Sequence, residues 1–189
     1  MLKKALALAA LAAAGLAQAE TATYAIEPSH TYATFEIPHF GVSTNRGRFE
    51  KKEGTVTIDS ASKTGKVEIS FDMNGINTGS AGFDKHLKSE DFFDVAKFPS
   101  AKFVGDKFVF NGDKVVEVAG QLTMKGKTAP MTLKASNYGC YMNPMFKREV
   151  CGGDFVATID RTQWGVDYGL AWGFAKDVKL VIQVEAVKQ

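Results

Sequence analysis

The sequence predicts an all-β protein of one domain, best closed as an up-and-down antiparallel barrel. Three observations predict it. Apolar and polar residues alternate with a period of two along most of the chain, the mark of half-buried strands. Short polar turns join the runs, so neighbouring strands pair antiparallel. Only one stretch carries a helical spacing. The 189 residues suit one domain or at most two small ones, and no linker composition or repeat divides them.

The elements follow in order. Ala33, Phe35 and Ile37 share one face of an early strand, and Val56 and Ile58 share a face of another. Val67, Ile69, Phe71 and Met73 point one way, while Lys66, Glu68, Ser70 and Asp72 point the other. Phe83–Asp94 is the helical segment: Phe83 and Leu87 are four apart, and Asp84 offers an early capping carboxylate. Phe103 lies in one candidate strand, and Phe108 and Phe110 in a second. Val116, Val118, Gly120, Leu122 and Met124 continue the alternation. So do Met131, Leu133 and Ala135, and then Phe155, Ala157 and Ile159. Val178, Leu180, Ile182, Val184 and Ala186 close the series. Asn111-Gly112-Asp113 and Lys125-Gly126-Lys127 are hairpin turns, and Ser60–Gly65 is a polar connector. The count is eight or nine strands. A sandwich and a barrel both satisfy this pattern. The barrel is preferred because several strands approach ten residues and because closure removes exposed edges. A barrel of about eight strands is just wide enough to be filled by side chains or to hold one small ligand.

The N-terminus reads as a secretory leader. Lys3 and Lys4 precede an apolar run from Ala5 to Ala17, and Ala17-Gln18-Ala19 presents the small residues a signal peptidase reads. Cleavage after Ala19 leaves residues 20–189 as the mature domain. The apolar run is shorter than the roughly 20 residues a membrane span needs. No other segment is a candidate span, so the mature chain is expected in the periplasm. Of the 23 basic residues two are in the leader, and none of the 21 acids is, so 21 of each sign remain. A balanced charge carries no basic stripe for nucleic acid.

Cys140 and Cys151 fit an oxidising compartment. They lack C-x-x-C spacing and nearby histidine, so the reading is one structural disulfide pinning a loop or hairpin, worth about 3 kcal/mol in the chain-entropy model.

No sequence motif announces catalysis or metal binding. His30, His39 and His86 form no helical zinc pair, and the nucleophile, phosphate-loop and dinucleotide signatures are missing. No metal or cofactor is expected. Aromatic residues say more, since all 14 Phe fall after the leader. Phe35, Ile37, Phe40, Phe71 and Met73 are candidate apolar lining. Phe92, Phe93, Phe103, Phe155 and Trp164 complete that set. Any one of them is more often core filling than a ligand contact. Together they would let a hollow barrel take a long apolar ligand. His39, Arg48 and His86 are candidates for a head-group site at the mouth, although Arg46 and Arg48 also suit a solvated strand edge. Arg161, before Trp164-Gly165, reads alternatively as a brace donating to backbone carbonyls.

The chain resembles the YceI-like family of bacterial lipocalin-like proteins. The resemblance is carried by Pro28-Ser29-His30, His39-Phe40-Gly41-Val42 and Gly47-Arg48-Phe49. It continues in Asp84-Lys85-His86-Leu87-Lys88-Ser89 and Lys97-Phe98-Pro99. Gly120-Gln121-Leu122-Thr123-Met124, Pro130-Met131-Thr132-Leu133 and Arg161 with Trp164-Gly165 complete it, spanning essentially the whole mature chain. It implies an eight-stranded antiparallel barrel around an elongated apolar channel. It also implies binding of an isoprenoid lipid, either a polyprenyl phosphate or a polyprenyl quinone such as ubiquinone, by a non-enzymatic homodimer. Delivery of a quinone to a membrane redox partner is a further expectation. Three features depart from the family pattern: Phe83 where a basic residue is common, the Cys140–Cys151 pair, and Trp164 where Phe is common. A barrel-mouth histidine hydrolase and a solid-packed interaction module are the alternative readings.

Overall fold

The computed structural model describes residues 21–189. The expected leader, residues 1–19, lies outside the described residues. The strands are β1 (Ala22–Ile26), β2 (Tyr32–His39), β3 (Ser43–Phe49), β4 (Lys52–Asp59), β5 (Thr64–Asp72), β6 (Ile76–Asn77), β7 (Ser100–Asn111), β8 (Lys114–Met124), β9 (Lys127–Asn143), β10 (Arg148–Asp160) and β11 (Asp177–Lys188). The one α-helix among the described residues, α1, spans Ala81–Lys88. Among the described residues no helix is long and apolar enough to cross a membrane.

Eight strands close a ring in the order β1, β4, β5, β7, β8, β9, β10, β11, and β11 pairs back onto β1. Every pairing is antiparallel. β1 and β2 are two halves of a bent strand, and both pair with β11. Thr31 sits at the bend and is fully buried. Its hydroxyl donates to the Glu185 carbonyl at 3.2 Å and accepts from the Glu185 N–H at 3.1 Å. A side chain thus replaces the ladder bonds that the bend removes, and among the described residues no buried side-chain nitrogen or oxygen is left unpaired.

Beyond the bend, β2, β3 and the short β6 splay from the ring. Helix α1 and the segment after it connect β6 to β7 and cap the gap. Ser80 is the N-cap of α1, its Oγ 3.5 Å from the Phe83 N–H. Asp84 is not the cap. Its carboxylate turns back to accept from the Thr78 N–H and hydroxyl, at 2.8 and 2.6 Å. The helix stops at Lys88, short of the expected Asp94. The chain folds back there, and the Phe93 and Val95 N–H groups donate to the carbonyls of Leu87 and Lys88.

Two other expectations change for one physical reason. Phe103, Phe108 and Phe110 belong to a single strand, β7, not two. A bulge at Asp106 absorbs the change of parity, so all three stay in or against the core. A second irregularity between Val109 and Phe110 puts Val115, not Val116, into the core. The other inward sets, from Val67 to Phe71, Met131 to Ala135 and Val178 to Ala186, hold as expected. Cys140 and Cys151 stand opposite each other on β9 and β10 and form a disulfide, Cα–Cα 4.1 Å.

Candidate ligand-binding cavity

The barrel interior is not packed solid. A cavity of about 600 Å³ runs through its splayed half, in the range of small-molecule sites. Alternation along β2 aims Ala33, Phe35 and Ile37 into it, and β11 contributes Val178, Leu180 and Ile182. On β3 the inward positions are Asn45, Gly47 and Phe49. Gly47 makes room, because a Cβ there would come within 2.6 Å of the Phe35 ring. Phe35, Phe49 and Phe71 form a run of aromatic contacts along this wall, with centroids 6.2 and 6.1 Å apart, and Phe93 joins at 6.1 Å. Such tilted and edge-on pairs are favourable ring geometries.

Helix α1 covers one side. Phe83, His86 and Leu87 share its inner face by three- and four-residue spacing and all reach the cavity. Across from them lies the segment between Gly165 and Lys176. Its three glycines, Gly165, Gly169 and Gly173, all have positive φ, a conformation that suits glycine. Beside them the chain presents Tyr168, Trp172 and Phe174 to the cavity.

Arg161 holds that segment. It is 5% exposed, and its guanidinium donates to the carbonyls of Ala175, Val166 and Tyr168 at 2.9, 2.6 and 2.9 Å. Burial lowers its pKa from the ordinary arginine value, while Asp167 and Asp160 oppose that shift. Asp160 is otherwise engaged. Hydrogen bonds from the Thr162 hydroxyl, Lys176 and the Thr162 N–H pull its carboxyl down to about 2.

The mouth lies where lining residues meet solvent. His86 is 38% exposed in its side chain and Trp172 62% exposed. His86, Phe92, Tyr168 and Trp172 form one aromatic cluster, and His39, Phe40 and Phe174 form another, all at centroid distances of 4.7–5.3 Å. His86 Nε2 lies 3.0 Å from the Asp91 carboxylate. The polar or ionisable side chains on the wall are His39, Asn45, His86, Arg161 and Tyr168; the remainder of the lining is aliphatic, aromatic or thioether. A second cavity of about 100 Å³ lies deeper, towards the disulfide, and Phe155 lines it.

The family model for the YceI-like domain matches residues 24–186. The chain belongs to the YceI-like family. A UPF0312 protein of Pseudomonas paraeruginosa is 35% identical over 194 residues covering the whole of both chains. One from Pseudomonas savastanoi pv. phaseolicola is 40% identical over 144 residues, 74% of this chain and 75% of its own. Solved structures share the fold. Burkholderia cenocepacia BcnA aligns with TM-score 0.69 at 22% identity, over 85% of this chain and 99% of its own. A polyisoprenoid-binding domain from Saccharophagus degradans aligns with TM-score 0.63 at 13% identity, over 88% and 98%.

Within this YceI-like barrel the expected site residues divide by position. Phe35, Ile37, Phe71, Met73, Phe92, Phe93 and Phe103 line the main cavity, as do His39 and His86. Phe40 does not. It is 55% exposed in a positive-φ turn and packs its ring on Phe174 at the rim. Arg48 is also outside the cavity, because Asn45, Gly47 and Phe49 take the inward parity of β3. Its guanidinium bonds Glu50 at 2.8 Å and lies over the Tyr32 ring on the outer face. Trp164 lines neither cavity. It is 1% exposed, and its indole N–H donates to the Leu122 carbonyl at 2.8 Å. Phe83 does face the cavity.

Asn45, Tyr168, Trp172 and Phe174 were not foreseen as lining. A signal for three of them is present in the sequence: aromatics set next to glycines four apart, in a stretch without strand alternation.

Proposed function

We propose that this protein binds an isoprenoid lipid, a polyprenyl quinone or polyprenyl phosphate, inside the barrel and carries or sequesters it in the periplasm. The observation that supports this most is the cavity wall. It is apolar over its depth, and its polar groups gather at the helix-capped end, so it complements an amphiphile with a long tail and a small head. The tail would lie along Phe35, Phe49 and Phe71, and the head group among His39, His86 and Tyr168. Burying methylenes at about 0.8 kcal/mol each gives affinity that depends chiefly on the tail, reduced by the cost of ordering it. The YceI-like membership and the fold shared with a polyisoprenoid-binding domain support the same ligand class. The leader pattern and the disulfide support the compartment. The reading is of a binding protein, not an enzyme, and it invokes no metal or prosthetic group. Homodimer formation and hand-over to a membrane redox protein belong to the same proposal.

Trp172 supplies the assay. Quinones quench indole emission, and Trp172 stands on the wall at the mouth. Titration with a prenyl quinone is expected to quench wild type and Arg48→Ala alike, and to fail in Phe71→Arg that retains its folded circular dichroism. Equal losses in both variants would contradict interior binding.

A further inference from the structure

The two cavities share four lining residues, Phe71, Phe103, Met131 and Ile182. These come from β5, β7, β9 and β11, placed around the ring, and all four point inward. They form a girdle between a main chamber of about 600 Å³ and a terminal one of about 100 Å³. The girdle residues differ in how far they are enclosed. Phe103 is 2% exposed, and its ring edge lies 3.0 Å from where a Cβ on Gly105 would stand. Phe71 is only partly buried and packs edge-on to Phe49 in the main chamber. Of the two girdle rings Phe71 is thus the less enclosed.

We propose that this girdle is a length stop: the lipid tail fills the main chamber and ends at Phe71, and the terminal chamber is closed to it. The proposal rests on the isoprenoid-binding reading and adds chain-length selection to it. A cavity of about 150 Å³ takes one benzene, or roughly 25 Å³ per carbon. By that measure the main chamber takes about 24 carbons, close to five isoprene units. A longer tail leaves its surplus outside the wall, where added carbons gain nothing.

The test is a series of all-trans prenols, from geraniol to solanesol, bound to wild type, Phe71→Ala and the milder Phe71→Leu. Wild-type affinity is expected to climb at least about tenfold per isoprene unit, then level off near five units. Phe71→Ala opens the terminal chamber and moves that break up by one to two units, about the carbons the added space holds. Phe71→Leu moves it less, in the same direction, and serves if the alanine variant does not fold. Ala186→Leu lies only in the terminal chamber, and adding it to Phe71→Ala is expected to return the break to its wild-type position. Identical breaks in wild type and the folded Phe71 variants would overturn the length stop while leaving the ligand class intact. So would a wild-type affinity that climbs without a break to solanesol. A wild type that binds no prenol would overturn the isoprenoid reading, and the length stop with it.

Discussion

Arg161 shows how much of the site depends on one side chain. Among the described residues it is the one buried charged group, and no carboxylate lies within ion-pair distance of it. Its planar fork instead closes on three carbonyls of the segment that carries Tyr168, Trp172 and Phe174. Lysine cannot reproduce that fork, because its ammonium is a point charge with no planar spread of donors. Arg161→Lys is expected to lose about 2–4 kcal/mol in urea unfolding, with a red-shifted Trp172 emission as the rim loosens. A loss below about 0.5 kcal/mol, the ordinary range for a neutral surface change, would mean that the segment holds itself. The brace role of Arg161 was legible because a polar turn after a strand leaves carbonyls to satisfy. The positions of Arg48 and Trp164 were not. For Arg48 the answer depends on the parity of β3, and one residue of register reverses it. For Trp164 it depends on a carbonyl 42 residues away in the chain.

At the scale of elements, the β9–β10 hairpin is the least supported part of the barrel. β9 pairs with β8 only up to Lys134. Beyond a bulge near Ala135 the backbone of its outer half pairs with β10 alone, and the Tyr141 hydroxyl donates to Glu185 of β11. The Cys140–Cys151 bond ties this overhang, and Asn143 shapes its tip by accepting from the N–H groups of Met145 and Phe146. Replacing both cysteines with serine is expected to cost up to about 3 kcal/mol. Amide exchange should quicken in Asn137–Asn143 and stay unchanged in β5 and β7. Uniformly faster exchange would mean that the bond supports the whole barrel. The strands themselves were legible from their period-two faces, and the hairpins from Asn-Gly and Lys-Gly turns. What the alternation could not show was the bulges. Phe103 and Phe108 differ in parity, which reads as two strands until one extra residue, Asp106, is allowed inside one. The cap of α1 was missed for a similar reason. Asp84 is a good capping residue by type, but the Thr78 N–H and hydroxyl already occupy it.

At the scale of the whole molecule, a barrel was legible and its hollowness was not. The same inward Phe, Met, Val and Ile residues could fill a ring of eight strands or surround a space. The difference lies in the splay of β2, β3 and β6 away from the ring, and in α1 capping the gap instead of filling it. That splay begins at Thr31, where a hydroxyl replaces ladder bonds. The result is a chamber open at a histidine- and aromatic-rimmed mouth and narrowed at Phe71 and Phe103. A lipid tail in the chamber makes dispersion contacts with its apolar wall, each small and large in sum. The most direct test is mass spectrometry of an organic extract from the full-length chain produced in bacteria and purified without detergent. The account predicts a polyprenyl species near one per chain. A lipid-free extract, together with no uptake of added prenyl quinones or polyprenyl phosphates, would contradict it.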